Sequence, residues 1–82
     1  MPGPLTEAIA SIFREAVESR GLLQREVAEA IGQSQTQVSR YLRGEVTMDA
    51  EEIDKMCRLV GLKITDVIAR ADSATTSRLG DA

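Results

Sequence analysis

A run of hydrogen-bonding side chains fills the stretch between Gly32 and Gly44, which contains no acidic residue. Its amide, hydroxyl and guanidinium groups suit base edges and phosphates: Gln pairs with adenine, Arg with guanine, and Ser or Thr with either. At 3.6 residues per turn, Val38, Tyr41 and Leu42 share an apolar side. The polar side and its leading end hold Gln35, Thr36, Gln37, Ser39, Arg40 and Arg43.

Two short helices joined by a tight turn would position these groups. Ala28 is small enough for a second helix to approach closely, and Gly32 can take the positive φ that ends a helix and reverses the chain. Val38 would then fold back between the helices. This spacing predicts a helix-turn-helix over residues 24–44. Ser34 is predicted to cap the second helix, with Gln37 reaching back to complete a capping box.

A solvated helix face is the alternative interpretation of the polar side, and the turn spacing and the missing acids favour DNA contact over it. The net charge of −3 argues in the other direction, because DNA-binding domains usually carry a basic footprint. The charge is unevenly distributed, however. Residues 20–44 hold four arginines against Glu26 and Glu29, whereas residues 45–54 hold five acids. We expect a dipolar molecule whose acidic segment faces away from the duplex.

The stretch resembles the DNA-binding domain of the lambda repressor, Cro and XRE family of phage and bacterial regulators, over roughly residues 5–70. The resemblance implies an all-α, five-helix domain with the helix-turn-helix at helices 2 and 3. In that family a Gln that touches phosphate opens the first motif helix, and Gln24 stands there. Gln35 stands where the recognition helix opens. The family's other contact positions fall on Thr36, Gln37, Ser39, Arg40, Arg43 and, in the following backbone-tracking loop, Thr47.

Three positions depart from the family pattern. Leu23 replaces the Ser or Thr that usually caps the first motif helix, at an expected cost of about 1 kcal/mol. Leu42 stands where family members often carry a polar residue, so it either packs under the following helix or is exposed. Lys63 occupies the usual cap position before the last helix.

The composition fits one small helical domain. Its 82 residues, 43% of them hydrophobic, can bury a single core. The lone Cys57 and the absence of histidine exclude an intramolecular disulfide and a multi-cysteine zinc site. We predict that Cys57 is a core residue, with a reactive thiol as the alternative. No apolar run approaches the ~20 residues of a membrane span. We expect a cytoplasmic protein with no cofactor, metal, small-molecule ligand, membrane contact or enzymatic activity.

Apolar periodicity and end signals predict five helices. Residues 72–82 are small and polar, which predicts a flexible tail after a domain of residues 1–71. The predicted helices cover Pro4–Ser19, Gln24–Ile31, Gln35–Leu42, the stretch between the Asp49 cap and Gly61, and Ile64 to about Ala71.

The acidic residues at the start of helix 4 have two interpretations. Asp49, Glu51 and Glu52 favour the positive end of the helix, so we predict capping and solvated groups there. Paired carboxylates could instead perform acid–base catalysis in a pocket. The chain offers no nucleophile–base pair or glycine-rich phosphate loop to support an enzyme.

The predicted function is that of a sequence-specific, double-stranded DNA-binding transcriptional regulator of phage repressor or Cro type. It would bind a pseudo-palindromic operator through the major groove as a homodimer, formed in solution or only on DNA. The alternative is a protein-interaction module, such as an antitoxin or accessory factor with weak DNA binding, which the acidic segment and an exposed Leu42 would favour. Repressor-like relatives dimerise through the last helix, so monomer core and dimer contact are both open for Leu62, Ile64, Val67 and Ile68.

Overall fold

The structure is a computed structural model that describes residues 3–80, with side chains described for residues 3–75. This part of the chain is all-α, as the sequence predicts, and the predicted bounds of the first three helices are confirmed. None of its helices is long and apolar enough to cross a membrane. The five helices are α1 (Pro4–Ser19), α2 (Gln24–Ile31), α3 (Gln35–Leu42), α4 (Ala50–Val60) and α5 (Ile64–Gly80).

One hydrophobic core lies between the five helices. Phe13 of α1 is fully buried, and α1 packs against α3, α4 and α5, while α2 packs against α3 and α4. Because the chain has only one phenylalanine, one tyrosine and no tryptophan, aliphatic side chains fill most of this volume. The other helices contribute Val27, Ile31, Val38, Tyr41, Met56, Val60 and Val67.

The predicted core position of Cys57 is confirmed, since its side chain is buried in α4. Burial raises the pKa of the thiol, and the negative charge of Asp54 raises it further. The thiol is therefore protonated at neutral pH and shielded from solvent. Within residues 3–80, no group of three or more His, Cys, Asp or Glu side chains is arranged to hold a metal ion.

The chain reverses after α2 at Gly32, where φ is +70°. Its N–H donates to the carbonyl of Ala28, and the N–H of Gln33 donates to the same carbonyl at 3.0 Å. Side chains with a Cβ are strained at such a φ, so glycine supplies this turn at no steric cost. The predicted reversal between the two motif helices is therefore confirmed.

The predicted end of the last helix near Ala71 is wrong, because α5 continues to Gly80. Residues 72–79 contain neither proline nor glycine, so the helix already formed upstream can extend one hydrogen bond per residue. Thr75 adds a hydrogen bond from its hydroxyl to the carbonyl of Ala71, at 2.9 Å. The division into a domain and a flexible tail stays a prediction, and its residues 1–2 and 81–82 lie outside the described part of the chain.

The start of α4 is only partly as predicted. Asp49 caps the helix, its Oδ1 accepting from the N–H of Glu52 at 2.8 Å. Glu52, however, is buried rather than solvated, and it contacts Gln33 of the turn between α2 and α3. Its Oε1 accepts from Gln33 Nε2 at 3.2 Å and lies 3.8 Å from Lys55 Nζ. This carboxylate joins α4 to the helix-turn-helix.

Replacing Val38 tests the packing beneath α3. Val38 is 1% exposed, so Val38→Ala should lower the free energy of unfolding by about 1 to 3 kcal/mol through the cavity it leaves. Urea denaturation followed by circular dichroism measures this loss. The control is Glu29→Ala, at an exposed position of α2, which should change stability by less than about 0.5 kcal/mol. Similar losses in the two variants would contradict the buried position of Val38.

Candidate nucleic-acid interface

Both ends of α3 are fixed by side chains. At the start, Ser34 Oγ accepts from the N–H of Gln37 at 3.1 Å, which confirms the predicted cap. Among the hydrogen bonds of residues 3–75, the Gln37 side chain does not complete the capping box. At the other end, Arg14 Nη1 of α1 donates to the carbonyl of Leu42 at 2.8 Å. Sequence reasoning missed Arg14, because nothing local connects two residues that are 28 positions apart.

The inward side of α3 is confirmed as apolar and buried. Val38, Tyr41 and Leu42 are all in the core. Leu42 is only 4% exposed, so it packs inside the domain. Of its two predicted placements, the buried one is confirmed. An exposed Leu42 would have favoured the protein-interaction module, and the structure removes that argument.

The outward side of α3 forms one wall of an open polar depression of about 380 Å³. Gln24 at the start of α2 lies across from the α3 side chains, so the two helices of the motif share this surface. We call it the reading depression. Gln37, half-buried, and Arg40, exposed, lie on α3 outside its lining. The depression is lined by Gln24, Gln35, Thr36, Ser39 and Arg43.

The start of α2 lacks a side-chain cap, as the departure at Leu23 predicts. The reverse half of a capping box is nevertheless present, because Glu26 Oε1 accepts from the N–H of Leu23 at 2.8 Å. Leucine has no acceptor, so the forward half cannot form. Glu26 thus satisfies one N–H beside the first residue of α2, Gln24.

Arg43 is held by two neighbours at the edge of the reading depression. Its Nε donates to Glu45 Oε2, its Nη2 to Glu45 Oε1 at 3.4 Å, and its Nη1 to Ser39 Oγ at 2.6 Å. The hydrogen bond and the charge of Glu45 raise the pKa of Arg43. The hydrogen bond from Arg43 lowers the pKa of Glu45, and the charges of Arg43 and Arg40 act in the same direction.

The other acids of residues 45–54 are mostly engaged within the domain. Asp54 accepts from Arg58 Nε at 3.0 Å, one turn along α4, while Asp49 caps that helix and Glu52 is buried. These contacts give the acidic segment structural roles that need no protein partner. We expected the whole acidic segment to face away from the duplex. Glu45 departs from this expectation, because it contacts Arg43, which lines the reading depression.

The loop after α3 places Thr47 apart from the reading depression. Its hydroxyl lies 3.2 Å from that of Thr6 on α1, within hydrogen-bonding distance. Thr47 is exposed, but it is not among the residues that line the depression. Its contact with DNA stays a prediction.

The structure divides Leu62, Ile64, Val67 and Ile68, each of which could have been a core residue or a dimer contact, into residues that pack in or against the core and residues that are exposed. Val67 is fully buried, and Leu62 is half-buried against the core. Ile64 and Ile68 are exposed by 36% and 38%, and with Leu5 of α1 they line an open apolar depression of about 420 Å³. We call this depression the α5 groove.

The helix-turn-helix family profile matches residues 13–67, a span that includes all of α2, α3 and α4. The chain belongs to the XRE and lambda repressor-like helix-turn-helix family. This confirms the resemblance drawn from Gln24 and from the polar side of α3. The matched span contains every residue that lines the reading depression.

The chain is also similar to two crystal structures of the clp gene regulator ClgR from Corynebacterium glutamicum. In one, the TM-score is 0.82 at 25% sequence identity, over 99% of this chain and 86% of that chain. In the other, the TM-score is 0.76 at 28% identity, over 85% of this chain and 91% of that chain. A search of curated proteins gave no match.

Arg14→Met tests whether α1 supports the end of α3. The change keeps an unbranched stem and removes the donor to the Leu42 carbonyl, so the free energy of unfolding should fall by about 1 kcal/mol. Denaturant unfolding measures it. Arg25→Met, at an exposed position of α2, is the matched control and should change stability by less than about 0.5 kcal/mol. If Arg14→Met were as neutral as Arg25→Met, the end of α3 would not depend on this hydrogen bond.

Proposed function

We propose that the protein is a sequence-specific, double-stranded DNA-binding transcriptional regulator that places α3 in the major groove. The reading depression is the observation that supports this most directly. It joins Gln24 of α2 to Gln35, Thr36 and Ser39 of α3, while the opposite side of α3 lies in the core. Membership in a family of DNA-binding regulators supports the same function.

Each polar residue has a role that follows from its place. Gln24 would anchor α2 to a phosphate, and Arg43, at the far end of the depression, would meet another. Such phosphate contacts fix the register of the helix, whereas contacts to base edges select the sequence. Thr47 would approach the backbone from the loop after α3. The proposed base-reading residues are Gln35, Thr36, Gln37, Ser39 and Arg40.

The length of α3 favours two copies on one operator. Its eight residues span only about 12 Å, enough to reach a few base pairs of one half-site. A pseudo-palindromic operator with half-sites about one helical turn apart would engage two recognition helices on one side of the duplex. Ile64 and Ile68, four residues apart on α5, would meet a second copy of the chain through the α5 groove.

Binding of this kind would regulate transcription by excluding polymerase or a competing regulator from the occupied site, as a repressor or Cro-type protein does. The similarity to ClgR, which is a gene regulator, supports a regulatory role. The protein would act in a bacterial cytoplasm or nucleoid, or in a phage-infected cell, with no small-molecule ligand.

Arg40→Ala and Gln35→Ala test the base-reading assignment. Selection of bound duplexes from a randomised DNA library should first yield a two-fold symmetric motif. Each substitution should then weaken binding to that operator by ~1 to 3 kcal/mol and relax the base preference at one position in each half-site. Both residues are exposed, so thermal melts should match those of the wild type.

The matched control for charge is Arg58→Ala, which removes one positive charge from an exposed position of α4. Its effect on operator affinity should be small. Unchanged affinity in both Arg40→Ala and Gln35→Ala would remove α3 as the reading helix. A library without an enriched motif would refute sequence-specific binding.

Ile68→Asp tests the α5 groove as the dimer contact. A carboxylate placed in an apolar interface is left without a partner, so the variant should be monomeric on DNA and bind the full operator more weakly. Ile68 is 38% exposed, and the fold should therefore be retained. Analytical ultracentrifugation with operator DNA measures the stoichiometry. Ser73→Asp adds the same charge at an exposed position of α5, and an equal effect there would contradict the groove.

A further inference from the structure

The backbone of Glu45 is fixed to the end of α3. The N–H of Gly44 donates to the carbonyl of Tyr41 at 3.1 Å, and the N–H of Glu45 donates to the carbonyl of Arg40 at 3.0 Å. Gly44 has a φ of +72° and lies against α1, where an added Cβ would be 3.5 Å from the Cα of Glu7. The Glu45 side chain therefore starts from a defined place beside the reading depression.

The Glu45 carboxylate occupies one edge of the Arg43 guanidinium, the Nε–Nη2 edge, at which a phosphate could otherwise bind. It accepts from both Nε and Nη2, and Ser39 accepts from Nη1, so three of the five guanidinium donors are engaged. Carboxylate and phosphate bind this planar fork with the same two-oxygen geometry. One guanidinium edge cannot serve both at once.

The pair also lowers the positive charge of the surface. Arg40 and Arg43 would together present two positive charges along α3, and Glu45 cancels one of them. The side chains of Arg43 and Glu45 are 56% and 50% exposed, so the pair lies in solvent where DNA can reach it. Exposed ion pairs are weak, and a phosphate can displace the carboxylate.

We propose that Glu45 competes with DNA phosphate for the Arg43 guanidinium and thereby limits the backbone-directed part of DNA binding. This inference rests on the proposed DNA-binding function. Among the described hydrogen bonds, the Glu45 side chain binds only Arg43 and none of the proposed base-reading side chains, so we expect the base preference to stay the same. Glu45 would therefore set the affinity for any duplex and not the sequence that is preferred.

Glu45→Gln tests the competition, because glutamine keeps the size of the side chain but removes its charge and one of its two acceptor oxygens. The variant should bind both the selected operator and an unrelated duplex roughly two- to five-fold more tightly at moderate salt. Releasing one more phosphate-bound counterion should steepen the slope of log affinity against log salt by about 0.9, measured between about 50 and 200 mM.

A double-mutant cycle with Arg43→Gln locates the effect. In the wild-type background Arg43→Gln should weaken binding, because it removes the proposed phosphate contact and leaves the Glu45 charge unpaired beside the DNA. In the Glu45→Gln background it should remove the whole gain. Glu18→Gln, at an exposed position of α1, makes the same charge change elsewhere and should leave affinity nearly unchanged.

The outcomes are distinguishable. A gain in Glu45→Gln that disappears with Arg43→Gln supports the inference. An unchanged or weaker Glu45→Gln, a gain that survives Arg43→Gln, or an equal gain in Glu18→Gln would overturn it while wild-type DNA binding stands. If no variant bound DNA even at about 50 mM salt, the proposed function would fail, and this inference with it. Circular dichroism melts confirm that each variant is folded.

Discussion

An eight-residue helix is not stable on its own in water, and α3 is such a helix. The side that would face DNA contributes no residue to the core, so the conformation of α3 depends mainly on the core beneath Val38 and on the groups at its two ends. Ser34 satisfies an N–H at the start, and Arg14 binds the Leu42 carbonyl at the end. Because these inner contacts hold the helix in place, we expect that the polar side chains of the outer face can be replaced without loss of the helix.

Local signals explain why most of the fold was predictable from the sequence. Gly32 and Ser34 act on backbone groups within a few residues, and apolar side chains at helical spacing identify the buried sides. Sequence reasoning failed where distant segments meet: Arg14 donates to a carbonyl 28 positions away, and the buried Glu52 accepts from Gln33 of another segment. It also failed at the end of α5, which continues as a helix beyond its apolar residues. The polar face of α3 could be predicted because nearly all of its residues lie on one helix, where helical spacing identifies the residues that share a side.

Net charge is a poor guide to the interface in this domain. Some of the acids that make the chain negative form contacts within the domain: Asp49 caps α4, and Asp54 accepts a hydrogen bond from Arg58. The residues that line the reading depression carry amide, hydroxyl and guanidinium groups and no acid. Glu45 pairs with Arg43, which lines this surface, so the sum of charges there is lower than the arginines suggest.

The burial of Tyr41 has a practical consequence. It is the only tyrosine in a chain without tryptophan, and it lies on the underside of α3, facing a small gap lined by Thr6 and Ile9 of α1. Ultraviolet emission and near-ultraviolet dichroism of the native polypeptide therefore come almost entirely from one ring on α3. Tyr41 is thus an intrinsic optical probe that needs no attached label. It reports on the packing of α3 against the core, and this packing determines how the polar face is oriented.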